Sequence, residues 1–81
     1  MSVDKAIAFA TKAHEGQFRK GTSRPYIVHP IEVCDIVASM TRDEDIISAA
    51  VLHDTIEDCP QITEEILAEE FGERVASIVA Q

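Results

Sequence analysis

The sequence predicts an all-α fold, a compact bundle of about five helices, and three observations carry that prediction. Apolar residues recur at three- and four-residue steps in successive stretches of the 81-residue chain. Most of these stretches are bordered by helix-start or helix-stop residues: Ser2, Gly16, Pro30, Thr41, Pro60, Thr63 and Gly72. No run alternates long enough for a strand; the best candidate, Tyr26-Ile27-Val28, is three residues long and lies between prolines.

Ser2 can cap a first helix to about Glu15, with Val3, Ile7, Ala10 and Ala13/His14 on its apolar side and Gly16 ending it. Gly16 to His29 has two glycines and a proline but no period, and reads as a loop or ligand-facing segment. Pro30 suits the first turn of a second helix, buried through Ile31, Val33, Cys34, Val37, Ala38 and Met40. Thr41 and Glu44 have the spacing of a capping box, which would open a third helix running to about Asp58, where Pro60 closes it. Thr63 caps a fourth helix through Phe71, Gly72 ends it, and Glu73 begins a fifth whose apolar pattern, Val75, Ile78 and Val79, still runs at Gln81. There is no repeat or linker, so residues 1–81 read as one domain, and the unfinished last pattern reads as a partial one.

Composition narrows the function classes. Apolar residues make up 46% of the chain, too many for a disordered acidic tail, and no stretch reaches the roughly 20 apolar residues of a membrane span. Fifteen acids against seven Lys and Arg give a net charge of −8, which argues against nucleic acid as a partner because that affinity comes largely from cations at phosphates. Positive charge gathers early, in Lys5, Lys12, Arg19, Lys20 and Arg24. Two cysteines, Cys34 and Cys59, are too few for a disulfide scaffold and read as free thiols of a cytoplasmic protein. Apolar surface left uncovered by a partial domain would favour a homo-oligomer.

The third helix carries the chemistry. At about 100° per residue, Ile46, Ala49, Ala50, His53, Ile56 and Glu57 fall on one stripe, with Asp54 and Asp58 beside it. Ile46 to Leu52 wrap most of the circumference, the sign of a helix covered on most sides. Carboxylates at 54, 57 and 58 crowded at its end would then need a cation, since desolvating an unpaired carboxylate costs several kcal/mol. An adjacent His-Asp pair suits a divalent ion, and a second imidazole would have to come from His29 or His14. His29 is the better placed; His14, within the first helix, reads as a packed or capping histidine. Tyr26 and Phe18 read as core or hinge packing, Cys34 as a small hydrophobe, and Cys59 as an unactivated thiol.

The ordered set Gly16-Gln17-Phe18-Arg19-Lys20, Pro25-Tyr26-Ile27-Val28-His29-Pro30, Leu52-His53-Asp54-Thr55-Ile56-Glu57-Asp58 and Phe71-Gly72 with Val75 resembles the HD superfamily of metal-dependent phosphohydrolases. More narrowly, it is similar to the hydrolase domain of the Rel/SpoT alarmone enzymes and the small alarmone hydrolases. This resemblance implies hydrolysis of the 3′-pyrophosphate of (p)ppGpp, a guanine nucleotide, to GDP or GTP and pyrophosphate, with Mn²⁺ as the usual metal. It implies His29, His53 and Asp54 as metal ligands, Glu57 and Asp58 as catalytic carboxylates, and Arg19, Lys20 and Arg24 as substrate-binding cations. The family's fourth ligand is an aspartate from a later helix, and this sequence has no Asp after Asp58. Two other functions fit the same residues: a non-catalytic HD module that binds a nucleotide or a partner, and an HD phosphohydrolase acting on another nucleotide. Retention of Glu57 and Asp58 favours an enzyme, because a binding module has no use for a proton-handling pair.

Overall fold

A computed structural model describes residues 3–18, 21 and 24–81. These residues form six helical segments: α1 (Val3–Ala13), α2 (Val28–Ala38), α3 (Glu44–Leu52), α4 (Thr55–Asp58), α5 (Glu64–Phe71) and α6 (Glu73–Ala80). Among the described residues the only β-type pairing is an isolated antiparallel bridge between Phe18 and Pro25, so the all-α class holds.

α3 is the hub. It packs against α1, α2 and α6, while α5 packs against α6. The buried side chains are Ala6 and Ala10 of α1, Cys34 of α2, Ile47, Ala49, Val51 and Leu52 of α3, Leu67 and Phe71 of α5, and Val75, Ala76 and Val79 of α6. The small residues of α1 let its backbone lie close to α3, and the branched side chains of α3 and α6 fill the space between. A Cα radius of gyration of 11.9 Å is what a folded chain of this length should have.

Local signals explain the ends. The Thr63 hydroxyl accepts from the Ile66 amide at 3.3 Å, as expected of a cap. Gly72 closes α5 and opens α6 at φ 93° and ψ 159°, a conformation essentially reserved for glycine. Gly16, at φ 84°, ends the turn after α1. Ser2, the expected cap of α1, lies outside the described residues.

The second and third helices depart from expectation. α2 begins at Val28, so Pro30 is its third residue, where the missing N–H would still have no intrahelical partner. It ends at Ala38; Ala38 and Met40, expected on its buried side, are exposed. The Thr41–Glu44 capping box does not form. The Asp43 carboxylate caps α3 instead, accepting from Asp45 at 3.0 Å and Ile46 at 3.4 Å, while Thr41 Oγ1 accepts from the Asp43 amide at 3.1 Å. A shorter bond from Thr41 to Asp43 leaves the cap to the residue next to the helix.

The expected continuous helix to Asp58 is interrupted at His53 and Asp54. Both keep right-handed helical angles, yet the run of helical hydrogen bonds breaks there and resumes as α4. The buried Thr55 hydroxyl donates to the Leu52 carbonyl at 2.7 Å, a side-chain bond that competes with the backbone ladder at this point.

Two ties hold the bundle at its edges. Arg74 of α6 grips the N-terminus of α3, donating to both oxygens of Asp43 at 2.9 and 2.8 Å and to Asp45 Oδ2 at 3.0 Å. Lys5 of α1 donates to the Glu70 carbonyl at 2.6 Å and lies 5.0 Å from the centre of the Phe71 ring, which meets Phe9 edge-on at 5.3 Å.

Candidate functional site

His29 enters from the first turn of α2, and His53 and Asp54 from the break between α3 and α4. All three line one pocket of about 480 Å³, whose remaining wall is Pro30, Val33 and Val37 of α2, Ile46, Ala49 and Ala50 of α3, and Ile78 and Val79 of α6. Four of the six residues placed on one stripe of the third helix, Ile46, Ala49, Ala50 and His53, are therefore a pocket wall. The opposite side of α3, through Ile47, Ser48, Val51 and Leu52, is the core side.

Asp54 is engaged at both oxygens. His53 Nδ1 lies 3.1 Å from Oδ1, and the Tyr26 hydroxyl donates to Oδ2 at 2.8 Å. Burial first, then the hydrogen bond to Asp54 and the negative charge of Asp54 and Asp58, push the Tyr26 hydroxyl well above the ordinary tyrosine range. It therefore acts as a donor throughout the physiological range. The Tyr26 ring packs, as the sequence suggests, and its hydroxyl adds a bond to Asp54 that only its place in the motif at residues 25–30 hinted at.

The ring of Tyr26 is held by its neighbours. Its face lies 4.8 Å, centre to centre, from the imidazole of His14, and it meets His29 at 6.1 Å and 68°. Its amide donates to the Gln17 carbonyl at 2.8 Å. His14 is buried, as read from the sequence. The Gln17 amide nitrogen donates to the Asp58 carbonyl at 3.2 Å, which orients Oε1 to accept from His14 Nδ1 at 3.0 Å. His14 Nε2 has no hydrogen-bond partner among the described residues. Phe18 is exposed, contrary to its expected packing role.

Glu57 and Asp58 are exposed on α4, and neither lines the pocket. His53 is exposed as well, with 61% of its side chain open to solvent. The expectation of three desolvated carboxylates is thus corrected for Glu57 and Asp58, whereas Asp54 stays largely covered, with 17% of its side chain open. Full burial of α3 stops at Leu52, and from His53 through Pro60 only Thr55 and Cys59 are enclosed, so solvent reaches Glu57 and Asp58. Arg24 pairs with Glu32 at 3.2 Å on the surface. Arg19 and Lys20 lie outside the described residues.

The donor set can be tested against a divalent metal by its chemistry. Two imidazoles and one carboxylate opening onto one pocket suit a first-row ion. Among the described residues, however, no three His, Cys, Asp or Glu side chains are gathered closely enough to hold one. The donors match in kind, and in this structure His53 and Asp54 bond to each other.

Comparison with known proteins decides the family. A model described as HD domain matches residues 6–81. The chain belongs to the HD domain family. A similar stretch occurs in a guanosine-3′,5′-bis(diphosphate) 3′-pyrophosphohydrolase of Haemophilus influenzae, 54% identical over 70 residues, covering 86% of this chain and 10% of that protein. A GTP pyrophosphokinase of Myxococcus xanthus is 47% identical over 77 residues, covering 95% of this chain and 10% of the relative. The bifunctional (p)ppGpp synthase/hydrolase SpoT of Escherichia coli is 44% identical over 75 residues, 93% of this chain and 10% of the relative. This HD chain thus spans about a tenth of the length of the curated relatives it matches. Among the described residues no helix is long and apolar enough to cross a membrane.

Proposed function

We propose that the chain is a portion of a metal-dependent hydrolase domain that removes the 3′-pyrophosphate of (p)ppGpp, releasing GDP or GTP and pyrophosphate. One observation carries this reading: His29, His53 and Asp54, from two separate elements, open onto the same pocket. The names of relatives 54% and 44% identical to the chain support the substrate. His29, His53 and Asp54 would hold a divalent ion, Mn²⁺ in the reading the resemblance implies. Such an ion supplies Lewis-acid polarisation of a phosphoryl oxygen and makes water a nucleophile near neutral pH. Glu57 and Asp58, three and four residues beyond Asp54, would orient the attacking water and carry its proton. Arg19, Lys20 and Arg24 offset the charge of a polyanionic substrate that an acidic surface would repel.

A second reading is favoured by the absence of a gathered three-donor cluster among the described residues: a non-catalytic HD module that binds the nucleotide. The two separate in one assay. The chain alone, and the chain joined to the rest of the hydrolase region of the Haemophilus influenzae relative, are incubated with Mn²⁺ and ppGpp, and pyrophosphate release is followed. Mn²⁺-dependent release by at least the joined form, abolished by Asp54→Asn, supports the hydrolase. Binding of ppGpp without release by either form supports the second reading.

A further inference from the structure

We propose that Tyr26 is a positioning residue for the metal site: its hydroxyl holds Asp54 Oδ2 so that Oδ1 is the oxygen left for a divalent ion. The inference rests on the metal-site reading above and adds to it a residue and a choice of oxygen. Asp54 stands in a break between two helical segments, where regular helical bonding does not fix the surroundings of its side chain. A carboxylate there has a torsion to settle and two equivalent oxygens to offer. The Tyr26 hydroxyl, 2.8 Å from Oδ2, removes both freedoms. Among the described residues Oδ1 is engaged only by His53 Nδ1 at 3.1 Å, an exposed imidazole.

Tyr26 can do this because it does not itself move freely. Its ring lies between two imidazoles, the buried one of His14 at 4.8 Å and that of His29 at 6.1 Å, and its backbone is tied to Gln17. One side chain thus touches a second candidate ligand, His29, while fixing the first. Partners that orient a ligand from outside the coordination shell typically contribute about 10- to 100-fold in metal affinity.

The test uses the 81-residue chain with Co²⁺, which binds nitrogen and oxygen sites more tightly than Mn²⁺ and reports its ligands by visible absorption. Dissociation constants and cobalt spectra are compared for the wild type, Tyr26→Phe and Asp54→Asn, alongside metal-free unfolding midpoints. Tyr26→Phe keeps the ring between the imidazoles and deletes only the hydroxyl. The expected result is about 10- to 100-fold weaker binding, a displaced cobalt spectrum, and a metal-free midpoint equal to that of the wild type. Unchanged affinity in Tyr26→Phe, or a loss of affinity that only tracks a lowered midpoint, overturns the positioning role. Wild-type affinity in Asp54→Asn shows that Asp54 is not a ligand, and no cobalt binding by the wild type defeats the metal-site reading and this inference with it. These last two failures are distinguishable from a failure confined to Tyr26.

Discussion

Asp54 and Tyr26 illustrate how a single side chain changes meaning once its neighbours are known. From sequence, Asp54 is half of a His-Asp pair and can be read as a metal donor; Tyr26 lies between two prolines and looks like hinge packing. Their 2.8 Å hydrogen bond joins positions 28 apart, a contact that no local pattern encodes. Glu57 and Asp58 were readable as acids on the ligand's helix, but their exposure was not, because it depends on which elements cover α4. If Glu57 handles the proton, Glu57→Gln should lower kcat by about 10²- to 10⁴-fold while leaving cobalt affinity near that of the wild type. An equal fall in metal affinity would instead make Glu57 a ligand. The thiols were legible. Burial and nearby carboxylates push both Cys34 and Cys59 up, and both are enclosed. Neither should react with a thiol reagent at pH 7 until the chain is unfolded; rapid labelling of the native protein would show that either is open.

At the scale of the element, boundaries set by a residue's own chemistry were readable and those set by a distant partner were not. Thr63 and Gly72 terminate helices through bonds and angles that belong to themselves. Thr63→Ala should cost about 1 kcal/mol, and Gly72→Ala should cost at least as much, because φ 93° with ψ 159° strains any L side chain even though the space around a Cβ there is open. Denaturant midpoints unchanged from wild type would refute both. The Asp43 cap of α3 is held by Arg74 of α6, 31 residues on, whereas the break at His53 coincides with a local bond from Thr55 to the Leu52 carbonyl that periodicity does not register. Arg74 holds the Asp43 carboxyl below the usual carboxylate range, assisted by the amides of Asp45 and Ile46. A carboxyl with a lowered folded pKa contributes stability that is complete above its unfolded pKa, about 4, and disappears as pH falls through the folded value. Arg74→Met should therefore unfold at a lower temperature than wild type at pH 6, with the gap closing toward pH 3. A gap independent of pH would assign the effect of Arg74 to packing alone.

For the whole molecule, the all-α class was visible because helical periodicity survives in every stretch. The pairing of helices was less so: the third helix was read as covered on most sides, whereas its core side is matched by a pocket wall. In a chain this small, total stability is about 4–12 kcal/mol at the usual value per residue. Leu52 is fully buried in the central helix, and Leu52→Ala should cost about 2–5 kcal/mol, enough to leave much of the chain unfolded at 37 °C. Ser48 points the other way. Its buried hydroxyl has no partner among the described residues, so Ser48→Ala should raise the midpoint. A lower midpoint would reveal a hydrogen bond that the hydroxyl makes after all.

The pocket between α2, α3 and α6 is where these scales meet, and its proposed occupant is a divalent ion. Crystals grown with Mn²⁺ and measured at the manganese absorption edge test this most directly. The account predicts one anomalous peak within coordination distance of His29, His53 and Asp54, with Asp54 Oδ1 turned toward it and Oδ2 still on Tyr26. A pocket without such a peak at saturating Mn²⁺, or a peak held by other side chains, would contradict it.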